Sequence, residues 1–367
     1  MGSQNTIISS EEFRKELIQR GVGSVARCYQ CATCSSVCEL APDKEPFPRR
    51  QMLWAQWGLA DMMIADPGVW LCHQCNDCNL HCPRDAKPGD VMQVVRSLAV
   101  EKLAVPGFVG RLVGKAGLTW PLLLGLPLLF WVAVLYLLNG LSIPESPLIF
   151  HDFVPHWLIY LVYIPLTGGV GLMMLLSGWK FWKMLSGSQN RSGSFIGSTI
   201  KVMFDIGTHK RFGKCQAAGS RRWGHFSLMW GFVGAVIATT LAIVALYILK
   251  EYPLPLTHPF KIVGNVAAVF LVVGCILLLG NRLQENSNAG ISTAYDNFFL
   301  AMILLVTFTG VFTEIGRFAL EPSLACSIYI VHLASVMSLF ATFPYSKFAH
   351  FVYRTLAMIH ERMVESK

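Results

Sequence analysis

The stretch that decides the reading runs from Cys72 to Pro83, CHQCNDCNLHCP, and its spacing repeats an earlier one, CYQCATCSSVC, from Cys28 to Cys38. Both are C-x2-C-x2-C-x3-C. With this spacing a short loop wraps three thiolates around one iron–sulfur cubane and sends the fourth to a second cubane. If that crossing holds, Cys28, Cys31, Cys34 and Cys82 bind one [4Fe–4S] cluster, and Cys72, Cys75, Cys78 and Cys38 bind the other. Structural zinc is the plainer alternative. It needs four ligands, usually as two C-x2-4-C pairs well apart in sequence, and has no use for a third cysteine two residues further on.

Composition frames the rest of the chain. It has 367 residues, 53% of them hydrophobic and 14% charged, with a mean hydropathy of +0.48. That is too apolar for an ordinary soluble protein and long enough for two domains, so part of it sits in lipid. Eight of the eleven cysteines lie in the two motifs, and Cys215, Cys275 and Cys326 are scattered beyond them. The opening residues, MGSQNTIISSEEFRKELIQR, carry no apolar core and no small-residue cleavage site, so no secretory signal and no disulfide framework is expected. Nothing in the modest charge of +8 asks for nucleic acid.

Between the motifs, RRQMLWAQWGLADMMI reads as a helix rather than as short strands. A helical two-cluster domain is therefore expected over 1–105. His73 and His81, inside the second motif, are expected as hydrogen-bond donors near the cluster sulfurs, because four cysteines already fill each site.

After a linker at 106–117, six apolar runs are long enough to cross a bilayer: 118–140, 156–184, 223–249, 259–281, 296–319 and 323–346. The fold class is thus mainly α, a helical two-cluster ferredoxin domain followed by a six-helix transmembrane bundle over 118–367. The interval 185–222 holds seven basic residues against one acid, Asp205, while the loops 141–155 and 250–258 have Lys250 as their only Lys or Arg. The positive-inside rule puts the basic interval, and with it both termini, on the cytoplasmic side of the inner membrane.

The last run, VHLASVMSLFATFPYSKFAH, contains His332 and His350. On one continuous helix, 18 residues are about five turns and about 27 Å, so both imidazoles share a face at two depths. Pro344 bends the helix between them. Two such histidines, in a chain with iron–sulfur motifs, point to axial haem ligands. His225 matches His350 in depth and is its expected partner. For His332 the candidates are His258 and His156.

Two resemblances attach to these residues. The first domain resembles the C subunit of heterodisulfide reductases, through both cysteine motifs and through WLCHQCNDCNLHCPR with GDVMQVVRS after it. The part from 223 to 354 is similar to the cytochrome b subunits of respiratory nitrate reductases and to the membrane subunit of heterodisulfide reductases. Their fusion resembles the C subunits of quinone-interacting membrane-bound oxidoreductases of sulfate-reducing microbes. That resemblance implies one or two haems b, menaquinone as substrate, and soluble flavin and iron–sulfur subunits that serve adenylylsulfate reductase. A heterodisulfide- or sulfite-linked quinone oxidoreductase is the alternative within the redox class. A zinc-stabilised membrane scaffold is the alternative outside it.

One departure matters. The nitrate-reductase family has a second ligand histidine ten residues after the first, where this chain has Ala235. The resemblance therefore supports His225 with His350 for the inner haem and leaves the outer one to His332 with His258. The chain also lacks the Cys-Cys-Gly pattern of heterodisulfide chemistry, and TGGVG at 167–171 lies inside a helix, where small residues serve packing. For the quinone, Lys261, Glu314 and Arg317 are ionisable groups in or near the membrane on the outer side. Lys261 aligns with a quinol-site lysine of the nitrate-reductase family, and Glu314 is a carboxylate that needs a partner.

Overall fold

The computed structural model describes residues 8–42, 46–145, 147–186, 191–215, 219–251, 253–283 and 290–365, and among these every regular element is helical. The N-terminal part contains α1 (Glu11–Leu17), α2 (Thr33–Ser36), α3 (Arg49–Trp57), α4 (Ala60–Ala65), α5 (Pro67–Leu71), α6 (Asp77–Leu80) and α7 (Pro88–Leu103). The single helix expected through RRQMLWAQWGLADMMI is two. Gly58 divides α3 from α4 at φ +70°, and a Cβ there would stand 2.5 Å from the Ser10 carbonyl oxygen, so the break needs glycine. The core of this part forms around α7, whose Val91, Met92, Val94, Val95 and Leu98 are buried with Leu17, Met52, Met63 and Trp70.

The interval 106–117, expected as a linker, carries α8 (Gly107–Gly114). Six helices long and apolar enough to cross a membrane follow among the described residues. They are α9 (Ala116–Asn139), α11 (His156–Ser186) after the short α10 (Phe150–Phe153), α13 (Gly219–Val244), α14 (Pro259–Leu283), α15 (Ala294–Ala319) and α16 (Pro322–Thr342). Each begins and ends close to its expected place. With the π-helical turn Ala245–Leu249 that continues α13, the largest offsets are four residues, at the start of α13 (Gly219 against 223) and the end of α16 (Thr342 against 346). The outside of the bundle is greasy: Leu118, Leu137, Leu175 and Ile248 are each more than 70% exposed, a surface suited to lipid. Inside it, small residues let helices meet closely. At Gly274 a Cβ would stand 2.8 Å from the backbone of Leu228, which brings α13 and α14 into their long antiparallel contact.

Two features differ from expectation at the end that carries the cysteine domain. The basic interval 185–222 is not only loop. It contains α12 (Phe195–Gly207), followed by a short 3-10 turn at Arg211–Lys214. The stretch from His332 to His350 is not one helix. After Thr342 the chain makes a 3-10 turn at Phe343–Tyr345, extends at Ser346, makes a second turn at Lys347–Ala349, and only then enters α17 (His350–Glu365). Pro344 lacks the N–H that a continuing helix would use, and the Ser346 hydroxyl accepts from Phe348 N. The five-turn register between the two histidines therefore does not apply.

The two parts share one core. Trp70 of α5 packs at a tilt on Tyr353 of α17 at 4.8 Å and meets Phe181 of α11 edge-on at 6.2 Å, and all three are 1% exposed or less. Full burial of rings this size stabilises the contact by about 1.5–3 kcal/mol each. The cysteine domain, the basic interval and α17 thus lie together at one end of the bundle.

Candidate redox centres

The two cysteine motifs fold alike. Gln30 and Gln74 have φ of 66° and 55°, Ala32 and Asn76 have φ of 70° and 67°, and each loop then enters a four-residue helix, α2 or α6. These paired left-handed residues turn the chain around a centre. One small cavity is lined by Cys28, Cys31, Cys34 and Cys82, and another by Cys38, Cys72, Cys75 and Cys78, so the structure brings together the two crossed sets. Among the described residues no three ligand side chains converge on a point that would hold a single metal ion. The thiols ring a space instead.

Without a cation three of those thiols resist ionising. Burial, and then the neighbouring thiols Cys28, Cys31 and Cys82, push Cys34 up to about 11, while burial does the same to Cys38. Cys78 lies further above the ordinary thiol value for the same reasons. Four thiolates in each pocket need a positively charged group between them, so the donor sets fit iron–sulfur clusters.

Donors to sulfur are not the expected histidines. They include Gln74 N to Cys72 Sγ at 3.3 Å, Ala86 N to Cys82 Sγ at 3.3 Å and Gln30 Nε2 to Cys28 Sγ at 3.4 Å. His81 is turned to the Asp77 carbonyl oxygen at 2.9 Å, and His73 lies edge-on to Phe212 at 5.1 Å.

The second loop is gripped by three arginines. Arg354 of α17 donates to the carbonyl oxygens of Trp70 and Cys72 at 2.9 and 2.7 Å, and Arg96 of α7 reaches the Cys72 oxygen at 2.8 Å. Arg221 of α13 donates to the Gln74 and His73 carbonyl oxygens at 2.5 and 3.1 Å. Two of these come from the membrane part. Between this loop and the bundle, Phe212 stacks on His225 at 6.0 Å, and His225 meets His350 at 6.0 Å between ring centres. Cys215 packs in the same core as Cys75.

The structure therefore brings His225 and His350 together. Each has its Nδ1 engaged: His350 donates to the Lys347 carbonyl oxygen, and His225 Nδ1 lies 2.8 Å from His209 Nε2. Burial, then the Arg354 charge, lower His350 to about 3, so its ring is neutral near pH 7. Both Nε2 atoms are left for an iron, and the ring separation accommodates one, so the pair has the donor chemistry of two axial ligands.

The far end of the bundle is different. His332 Nδ1 lies 3.0 Å from Thr309 Oγ1, and the ring nestles against Gly310, where a Cβ would meet Cε1 at 3.0 Å. His258 is turned elsewhere, with Nδ1 accepting from Phe260 N at 3.2 Å and Nε2 3.3 Å from Glu251. His156 stacks on His151 at 4.3 Å. Lys261 and Glu314 form an ion pair at 2.6 Å that leaves Glu314 Oε1 buried without a hydrogen-bond partner, and Arg317 lies over the ring of Phe318 at 5.2 Å. Sequence reasoning singled out neither His209 nor the arginines Arg96, Arg221 and Arg354, since no spacing links them to the residues they touch.

Comparison with known proteins agrees with this division. The family model for a 4Fe-4S dicluster domain matches residues 24–86. The C subunit of the H(2):CoB-CoM heterodisulfide,ferredoxin reductase of Methanothermobacter thermautotrophicus is 35% identical over 92 residues, 25% of this chain and 49% of its own length. The iron–sulfur C subunit of the CoB–CoM heterodisulfide reductase of Methanopyrus kandleri is 37% identical over 27% of this chain and 58% of its own. The similarity thus spans about half the length of these subunits. Citrate utilization protein B of Escherichia coli is 29% identical over 358 residues, 90% of this chain and 88% of that protein. No solved structure gives a significant match. The N-terminal part is an iron–sulfur domain related to the C subunit of heterodisulfide reductases, and since the family model for Citrate utilization protein B matches residues 111–367, the chain belongs to that family.

Proposed function

We propose that this chain is the membrane subunit of an oxidoreductase, moving electrons between menaquinone and a soluble flavin- and iron–sulfur-bearing partner. The observation that carries this reading is the junction between the two parts. Arg221 and Arg354 hold the carbonyls of the second cysteine loop, and Phe212 touches both His73 and His225. A scaffold has no need to link a thiol cavity so closely to a pair of neutral imidazoles.

In this reading Cys28, Cys31, Cys34 and Cys82 hold one [4Fe–4S] cluster and Cys38, Cys72, Cys75 and Cys78 the other. His225 and His350 hold a haem b. Bound there, these groups supply the one-electron carriers that the two-electron chemistry of a quinone requires. His332 is the candidate ligand of an outer haem. His258 would have to leave Phe260 and Glu251 to join it.

Lys261 and Glu314 form the quinone site, with Arg317 one turn away. Glu314 Oε1, buried and without a partner, is the atom available to exchange a proton with a quinol hydroxyl, and Lys261 Nζ fixes the carboxylate at Oε2. The membrane is the cytoplasmic one, with the cysteine domain and both termini on the cytoplasmic side. The soluble partner is either adenylylsulfate reductase, reached through its own subunits as the cysteine and histidine pattern suggests, or an enzyme of citrate utilization, as the Escherichia coli relative's name suggests.

The visible spectrum of the purified chain tests the reading. Soret and α bands over a broad iron–sulfur shoulder are expected, and a colourless protein would return it to a scaffold. Glu314→Gln should slow haem reduction by a menaquinol analogue at least tenfold with haem content unchanged. Wild-type kinetics in that variant would move the quinone site away from the outer end.

A further inference from the structure

We propose that His209, which reaches the site from the basic interval, is the positioning residue that fixes the His225 ring for ligation. The proposal rests on the reading of His225 and His350 as a haem pair. An imidazole that binds iron through Nε2 carries its proton on Nδ1, and a buried N–H needs an acceptor. For His350 that acceptor is the Lys347 carbonyl oxygen. For His225 it is His209 Nε2, at 2.8 Å. The pairing dictates a state. His225 donates, so His209 must be neutral, with the Nε2 lone pair turned to His225 and its own proton on Nδ1, an atom buried without a hydrogen-bond partner.

The site is built to hold that ring. His209 is 6% exposed and is flanked by Phe226 at 5.3 Å and Phe212 at 6.1 Å between ring centres. Its backbone sits at φ +51°, a left-handed conformation that disfavours a non-glycine residue. Bonds from His209 N to the Ile206 oxygen and from Gly213 N to the His209 oxygen, at 3.2 and 3.3 Å, maintain it. A glycine would fit this turn at lower energy. A histidine stands there, and the bond to His225 is what its ring adds. His209 is not a third ligand, because its Nε2 is turned to His225 Nδ1.

Taking the acceptor away leaves His225 less basic and freer to rotate. The midpoint potential of its haem should rise, and its low-spin EPR signal should shift. The test uses the full chain in detergent, produced with haem available, as wild type, His225→Ala, His209→Ala and His209→Gln. His225→Ala should lose a low-spin haem. His209→Ala should keep the haem-to-protein ratio, with a raised potential and a changed EPR signal. His209→Gln, whose amide oxygen also accepts, should return both toward wild type. If His225→Ala loses its haem while His209→Ala matches wild type in potential and EPR, the positioning role is wrong and the haem pair stands. If His225→Ala keeps all its haem, the haem pair itself is wrong. Should His209→Ala lose haem outright, recovery in His209→Gln supports the role, and equal loss in both variants overturns it.

Discussion

The two cysteine loops are built on one backbone plan and placed in opposite surroundings. Residue for residue, Gln30 matches Gln74, Ala32 matches Asn76, and α2 matches α6. Yet Tyr29, after the first cysteine, is 58% exposed and Cys31 lies at the surface, whereas His73, at the equivalent place, faces Phe212 and Cys75 packs against Cys215. The first loop is edged by exposed Arg27, Arg49, Arg84 and Lys87. The second is bonded to Arg96, Arg221 and Arg354 through its carbonyls. Equal spacing gives equal local geometry, while the environment assigns the use. In the proposed electron carrier, the first loop is the one a soluble partner can approach, and the second is the one joined to the membrane.

Exchanging ligands between the loops gives the largest test of this comparison. Cys38→Ser, although it lies in the first motif, should remove the cluster built mainly on the second, leaving about half the iron and the EPR signal of the surface cluster. Full iron content, or loss of the surface signal instead, would undo the crossing. Next in size is the arginine grip. Arg354→Ala strands the buried carbonyl of Trp70 and weakens the hold on that of Cys72, so it should lower unfolding stability in detergent by about 2–4 kcal/mol. Arg84→Ala beside the first loop should stay within about 0.5 kcal/mol of wild type. Equal effects would mean that the two loops are anchored alike. The smallest effect concerns the thiols of the cluster-stripped protein. Cys31 is exposed, and its bond with Thr33 lowers its pKa, whereas burial and neighbouring thiols raise Cys78 well above the usual value. At pH 8 Cys31 should react with iodoacetamide at least about tenfold faster. The gap should narrow as alkali ionises Cys78, and parity at pH 8 would count against the contrast.

Much of this was open to reading from residues. A cluster holds its ligands at fixed separations, so C-x2-C-x2-C-x3-C carries its own geometry, and the crossed cysteine sets line the two cavities. A bilayer demands long apolar runs, and all six expected spans coincide with helices. Partners set by tertiary approach were not readable. Glu314 needed a counter-charge, but nothing in the sequence pairs it with Lys261, 53 residues away. The charge of 185–222 pointed to a cytoplasmic loop and hid the helix within it, where Ile196, Ile200 and Phe204 form an exposed apolar stripe. Nothing local marks His209, because its meaning lies in the ring it meets. Pro344 signalled a bend, but the extent of the break depends on Ser346 as well.

That break has a consequence for how the sequence tolerates change. Were His332 and His350 on one rigid helix, inserting a residue near Val331 would swing both imidazoles by about 100° relative to what precedes them. With two 3-10 turns and an extended serine between them, α16 and α17 are separately phased. The inner histidine is indexed by the fixed turn that offers it the Lys347 carbonyl, and the outer one by its seat on Gly310. An insertion in α16 should therefore misdirect His332 and leave His350 in place, so the two ends of the bundle can be altered by mutation one at a time.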